Sequence, residues 1–194
     1  MSRTVALTAG DPAGVGPELL VRLLHELRDA SGQRVVVVSS AEELQAGILH
    51  SGLAVDVEHL LAPAHIRLEE LRGDRPATSG AVSEKAGRWA LDALDCALQL
   101  RAEGMVHGLV FGPLNKTSLH LAGMSEPDEM RWFEKRFNEG TTVSEVNVAT
   151  TFWTARVTSH VALREVADLV TPETVGATIT LLHDLLTASG VRAP

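Results

Sequence analysis

Cysteine is all but absent: Cys96 is the one thiol in 194 residues. A single thiol supports neither a disulfide framework nor a thiolate metal cluster, and its place within a helical pattern gives Cys96 the reading of a small buried apolar side chain. A reducing cytoplasm fits that usage. Basic residues are also short, 17 Lys and Arg against 25 Asp and Glu for a net charge of −8. No basic patch is visible that would neutralise the phosphates of a nucleic acid or an anionic membrane surface. No apolar run reaches the ~18 residues of a membrane span, and the first residues enter a strand pattern with no signal-peptide pattern ahead of it. Repeats, low-complexity tracts and Ser/Gly/Pro-rich linkers are missing as well. Nucleic-acid binding, membrane insertion and export are therefore not expected, and a small molecule or another protein is the favoured partner.

What is present is ordinary globular material, 45% hydrophobic, enough for one full domain or two small lobes with a real core. Short β-rich runs alternate with amphipathic segments: a strand over 4–8, a helix over 17–30, a strand over 34–39 and a helix over 41–51. That βαβα order predicts parallel strands with helical crossovers. Residues 55–76 read as a short extended piece and a loop, and Thr78-Ser79-Gly80 leads into the clearest helix, 81–102, stopped by Gly104. A strand over 106–111 opens into Gly112-Pro113-Leu114-Asn115-Lys116 and a short helix over 117–122. A helix around 128–137, strands over 144–150 and 154–160, a loop or short helix over 163–169 and a closing helix over 172–188 follow, the last with Thr171 as its N-cap. Val191-Arg192-Ala193-Pro194 reads as the approach to one more strand, which makes the chain a candidate fragment of something longer.

The stretch Gly10-Asp11-Pro12-Ala13-Gly14-Val15-Gly16-Pro17-Glu18 is the most informative. It joins a strand to a helix, and glycine permits sharp turns or close approach of backbone to a ligand, while Pro17 suits a first helical turn. Its spacing matches neither GxGxxG nor GxxxxGK[ST], so it is either a cradle of a different kind or only a tight turn. In open α/β sheets ligands collect outside the carboxyl ends of strands. Three places satisfy that rule: Asp11, the pair Asn115 and Lys116, and His160. Lys116 reads as an anion-binding or proton-donating group, or as a solvated lysine at a helix start. Asn115 is a substrate ligand or a helix cap. His160 is a metal ligand, an acid or base, or a structural histidine, and the other seven histidines show no metal-ligand spacing such as HxxxH.

Three segments in order, Gly10 to Glu18, Gly112 to Lys116 and Arg156-Val157-Thr158-Ser159-His160-Val161-Ala162-Leu163-Arg164-Glu165-Val166, resemble the PdxA family, the 4-hydroxythreonine-4-phosphate dehydrogenase-like proteins. Thr78-Ser79-Gly80-Ala81-Val82-Ser83 matches the family's turn into its long helix. The resemblance implies an isocitrate/isopropylmalate dehydrogenase-like α/β/α sandwich with a mostly parallel sheet, here incomplete at the C-terminus, with a first lobe over 1–124 and part of a second over 125–194. It implies a homodimer with its active site between lobes and subunits. The chemistry implied is oxidation of a secondary alcohol of a hydroxy acid by NAD or NADP with decarboxylation, assisted by a divalent metal, Zn, Mg, Mn or Co. His160 matches the first of three metal histidines; Lys116 and Asp11 fall near the reacting substrate, with Asn115 beside them.

Two departures accompany the resemblance. The family's other two metal histidines, in NPHAGE-like and YHDQG-like segments, and most of the cofactor surface would fall beyond Pro194, so the chain is expected to be catalytically incomplete. Where the family usually carries a Gly-His-Thr-Glu segment whose histidine and threonine bind the substrate phosphate, this chain reads Ser125-Glu126-Pro127-Asp128-Glu129-Met130-Arg131. Like charges facing a dianion penalise it, which points to a substrate other than 4-phosphohydroxy-L-threonine, an unphosphorylated hydroxy acid or a dihydrodiol carboxylate. Arg131 reads as a partner for a substrate carboxylate or as a solvated side chain. The rival reading of the whole chain is a non-catalytic binding or dimerisation module built on the same fold.

Overall fold

The computed structural model describes residues 3–30, 32–74, 79–137, 143–159 and 161–194. It divides into two compact units, Met1–Ser125 and Glu126–Pro194.

The first unit opens with β1 (Thr4–Thr8), α1 (Gly16–Leu27), β2 (Arg34–Ser39), α2 (Ala41–Ser51), α3 (Val57–Leu61) and β3 (Ile66–Glu70). It continues with α4 (Glu84–Ala102), β4 (Gly108–Phe111) and α5 (Lys116–Leu121). The strands form one sheet in the order β3-β2-β1-β4, every pair parallel. Successive side chains along a strand face opposite ways, and both faces are covered. Leu7, Val35 and Val37 pack with Leu20, Val21 and Leu24 of α1 and Leu44 and Ile48 of α2 on one side. Ala6, Val36 and Val38 pack with Ala93, Ala97 and Leu100 of α4 on the other. This is why Val35 to Val38 reads as an unbroken apolar run rather than an alternating one.

Local chemistry sets the helix ends. Ser40, Asp56, Ser83 and Asn115 each accept a backbone N–H from the first turn of the helix that follows, and Gly52, in the left-handed region at φ +70°, ends α2. Residues 55–76, expected as an extended piece and a loop, hold a full turn of helix and a fourth strand. Ile66–Glu70 pairs with Val35–Ser39 at the sheet's edge, where charged Arg67, Glu69 and Glu70 are tolerated because an edge strand meets solvent. The strand expected over 106–111 is shorter, with Val106 buried below it against the α4 face.

The second unit contains α6 (Glu129–Arg136), the antiparallel pair β5 (Val146–Val148) and β6 (Trp153–Ala155), then α7 (Val166–Leu169) and α8 (Pro172–Ala188). The two strands are each about half as long as the sequence pattern suggests. Thr171 caps α8 in a reciprocal capping box with Thr174, as the sequence indicates.

Candidate functional site

Strand order fixes where a ligand crevice can open in the first unit. The chain runs outward from β1 through β2 to β3, then returns to place β4 on the other side of β1, so the order reverses between β1 and β4. Crevices in open α/β sheets form outside the carboxyl ends of the strands at such a reversal. The loops leaving β1 and β4 are the two that carry Asp11 and Gly112 to Lys116.

These loops are tied to each other by backbone. The Gly112 N–H donates to the Thr8 carbonyl at 2.9 Å, and the Asp11 N–H donates to the Pro113 carbonyl at 2.8 Å. The fit leaves no room for side chains: a Cβ at Gly112 would lie 2.0 Å from the Ala9 carbonyl oxygen, and one at Gly16 would lie 1.8 Å from the same atom. Gly10 adopts φ +79°, and its Cβ would meet the carbonyl oxygens of Gly112 and Pro113 at 2.5 Å. Gly10, Gly16 and Gly112 therefore serve backbone packed on backbone, while Gly14, whose Cβ would meet nothing closer than 3.5 Å, lines the adjacent cleft. A second crossing braces the turn, with the Gly80 N–H donating to the Ala13 carbonyl at 2.7 Å.

Within this frame Asp11 is buried, 8% exposed, and its Oδ1 accepts the Ala13 N–H at 2.9 Å. One carboxylate oxygen thus holds the turn. Asn115 caps α5, its side chain accepting the Ser118 N–H at 3.1 Å, which is the plainer of its two sequence readings. Lys116, at the first position of α5, is exposed and makes no hydrogen bond or ion pair among the described residues. A cation at a helix N-terminus opposes the helix dipole, so helix stability does not account for this residue.

Sequence reasoning missed the joint that anchors α5. Ser118 is buried, its hydroxyl accepts the Ser83 N–H at 3.2 Å, and a Cβ at Gly87 would lie 1.9 Å from the Ser118 carbonyl oxygen. Gly87 within a long helix pattern was the available signal. It also missed Glu43, 1% exposed, which accepts from the Ser39 hydroxyl at 2.7 Å and the Trp89 indole N–H at 3.2 Å. In the sequence Glu43 is indistinguishable from an exposed acid in a helix's first turn. Beside the glycine turn lies a cleft of about 410 Å³ lined by Pro12, Val15, Glu18, Ala46, His50 and Ser79 among others; Asp11, Asn115 and Lys116 take no part in its wall.

Thr8, the last residue of β1, is 3% exposed and its hydroxyl has no hydrogen-bond partner among the described residues. A buried hydroxyl without a partner costs about 1–3 kcal/mol. Thr8→Val, of nearly the same shape, is expected to leave the melting temperature unchanged or raise it, as read by thermal denaturation. A drop of several degrees would reveal a partner for that hydroxyl.

In the second unit Arg131 lies on α6 and pairs with Glu134 at 2.5 Å, which raises its pKa chiefly through that hydrogen bond. Any other anion would have to displace Glu134. His160 lies outside the described residues. Among the described residues no three His, Cys, Asp or Glu side chains gather as a metal site, and no helix is long and apolar enough to cross a membrane. These described residues by themselves do not make up a donor set for a divalent metal.

A family model described as "Pyridoxal phosphate biosynthetic protein PdxA" matches residues 28–194. A Pseudomonas aeruginosa protein named "Putative 4-hydroxythreonine-4-phosphate dehydrogenase 2" is 38% identical, over 98% of this chain and 59% of its own length. A D-threonate 4-phosphate dehydrogenase of Pectobacterium atrosepticum is 30% identical, over 100% of this chain and 62% of its own length. Among solved structures, the 4-hydroxythreonine-4-phosphate dehydrogenase of Klebsiella pneumoniae superposes with a TM-score of 0.74 at 28% identity, over 96% of this chain and 60% of that one. The chain spans about 60% of the length of the curated relatives it matches.

Proposed function

This chain belongs to the PdxA family, and from that premise we propose that it forms the first lobe and part of the second of a dehydrogenase that oxidises the secondary alcohol of a hydroxy acid with decarboxylation. The observation that carries the reading is the meeting of the β1 and β4 loops at the strand-order reversal, followed at once by Lys116, which makes no hydrogen bond or ion pair among the described residues. Under this reading the enzyme is a cytoplasmic homodimer using NAD or NADP and a divalent metal, and His160 is one of the metal's ligands.

In this reading the Lys116 ammonium attracts the substrate's carboxylate and holds or returns a proton at the substrate oxygen. Asp11, one oxygen engaged by Ala13, fixes the turn that forms the crevice wall and offers its second oxygen to a substrate hydroxyl. Asn115, by capping α5, sets the direction in which Lys116 leaves the helix. Arg131 reaches a substrate carboxylate only by exchanging Glu134 for it.

The test joins this chain to the part of the Pseudomonas aeruginosa relative that it does not cover. With a divalent metal and NAD or NADP, that chimera is expected to form reduced nicotinamide from a member of a 2,3-dihydroxy acid panel, while the 194-residue chain alone forms none. A folded, dimeric chimera inactive across the whole panel would overturn the dehydrogenase reading and favour a binding module.

A further inference from the structure

A parallel sheet is normally covered on both faces, and its free edges are normally blunted by charge. The two edge strands of the first unit differ in this respect. β3 carries Arg67, Glu69 and Glu70, which discourage a further strand. β4, Gly108-Leu109-Val110-Phe111, carries no charge and pairs only with β1 among the described residues.

The face above β4 is open as well, on the side of the sheet that α1 and α2 cover. Val110 is the register partner of Leu7, and Gly108 that of Val5. Leu7 and Val5 pack with α1 and α2, and residues in register on neighbouring strands share a face, so Val110 and Gly108 are turned to that same side. There Val110 is 52% exposed, and nothing stands within 4 Å of a Cβ built on Gly108. One flank of α1 forms the matching wall. Pro17 and Val21 stand against α2, where a Cβ on Gly47 would lie 2.3 Å from the Pro17 carbonyl oxygen. Leu19 and Leu23, two residues to either side of Val21, lie about half a turn around the helix from it. Because α2 and α3 carry the chain from β2 to β3, this opposite flank is turned to the β4 side of the sheet. Leu19 and Leu23 are both exposed, and exposed Val15 extends their stripe.

We infer that β4 and the Val15-Leu19-Leu23 stripe are a docking surface for a β-strand laid along β4 and an amphipathic helix set beside α1, both supplied by the portion of the longer family members that this chain does not span. The first lobe is then built from two separated stretches of sequence. The chain spans 59% and 62% of two relatives, and 96% of it superposes on the Klebsiella pneumoniae enzyme, so the remainder of such a protein packs on the framework described above. A second copy paired edge to edge would bring another bare strand to this spot, not the helix that the face lacks. The inference stands on family membership and packing, so it can fail while the dehydrogenase reading holds.

Cysteine substitution tests it. Val110→Cys, Leu19→Cys and, as a control on the 75% exposed Leu49 of α2, Leu49→Cys are each made with Cys96→Ala. They are made in the 194-residue chain and in the chimera; where the joined chain is insoluble, the relative's part is co-expressed as a separate chain. The alkylation rate of each new thiol is read by peptide mass spectrometry. In the 194-residue chain all three are expected to react fast at every protein concentration. With the relative's part present, the Val110→Cys and Leu19→Cys thiols are expected to slow by at least about tenfold, since reaction then waits on local opening, and the Leu49→Cys thiol to keep its rate. Protection in the 194-residue chain that grows with its concentration would give the surface to a second copy, and protection at every concentration would mean that the chain covers it itself. Rates unchanged by the relative's part, joined or co-expressed, or slowed equally at Leu49→Cys, would leave the surface without this occupant. Each of these results overturns the inference.

Discussion

Gly112→Ala is expected to destabilise the first unit by about 3–5 kcal/mol. The added methyl would stand 2.0 Å from the Ala9 carbonyl oxygen, a main-chain atom at the end of a central strand that has no rotamer in which to step aside. Relief requires pulling the β4 loop away from β1, which breaks the Gly112-to-Thr8 and Asp11-to-Pro113 hydrogen bonds together. Two lost backbone bonds at about 1 kcal/mol each, plus a steric term of 1–3 kcal/mol typical of overpacking, give that magnitude. Gly108→Ala is the matched control: it lies four residues earlier, at the start of β4, and nothing stands within 4 Å of its would-be Cβ. Urea denaturation of the two variants should show a midpoint drop for the first and little for the second. Equal midpoints would mean the loops are not pressed together.

Lys116→Met is expected to lower kcat/KM of the chimera by about 10²–10⁴ with little change in stability. An exposed lysine that makes no bond among the described residues contributes little to stability, and removing a like-signed charge from a helix N-terminus helps α5 slightly. The rate loss is the size expected when a positioned proton donor or acceptor is removed. Steady-state kinetics and a thermal melt of the same preparation separate the two effects. Unchanged turnover would return Lys116 to the status of a solvated side chain.

The two loops were legible because a rule of chain topology points to strand ends, and because Gly10 to Glu18 and Gly112 to Lys116 are unusual runs placed there. What they do is less legible. The glycine turn reads equally as a ligand cradle and as a tight turn, and only the register of β4 beside β1 shows that Gly10 faces the main chain of the β4 loop. Asn115 carried both readings, and the distance to Ser118 shows the cap. Residues 55–76 hid a strand because Ile66-Arg67-Leu68-Glu69-Glu70 carries three charges in five positions, a pattern that solvent at a sheet edge permits and a local window cannot distinguish from loop. Glu43 and Ser118 were invisible for a related reason: the Trp89 indole that reaches Glu43 and the Ser83 N–H that reaches Ser118 come from distant parts of the sequence.

The central claim is that the β1 and β4 loops together form the substrate side of a dehydrogenase site. Amide chemical-shift mapping of the isotopically labelled chain, titrated with an unphosphorylated 2,3-dihydroxy acid, tests it most directly. The account predicts that the largest shifts gather on residues 9–16 and 112–118. A footprint confined to the cleft beside Ala46 and His50, with Asp11 and Lys116 unmoved, would contradict it.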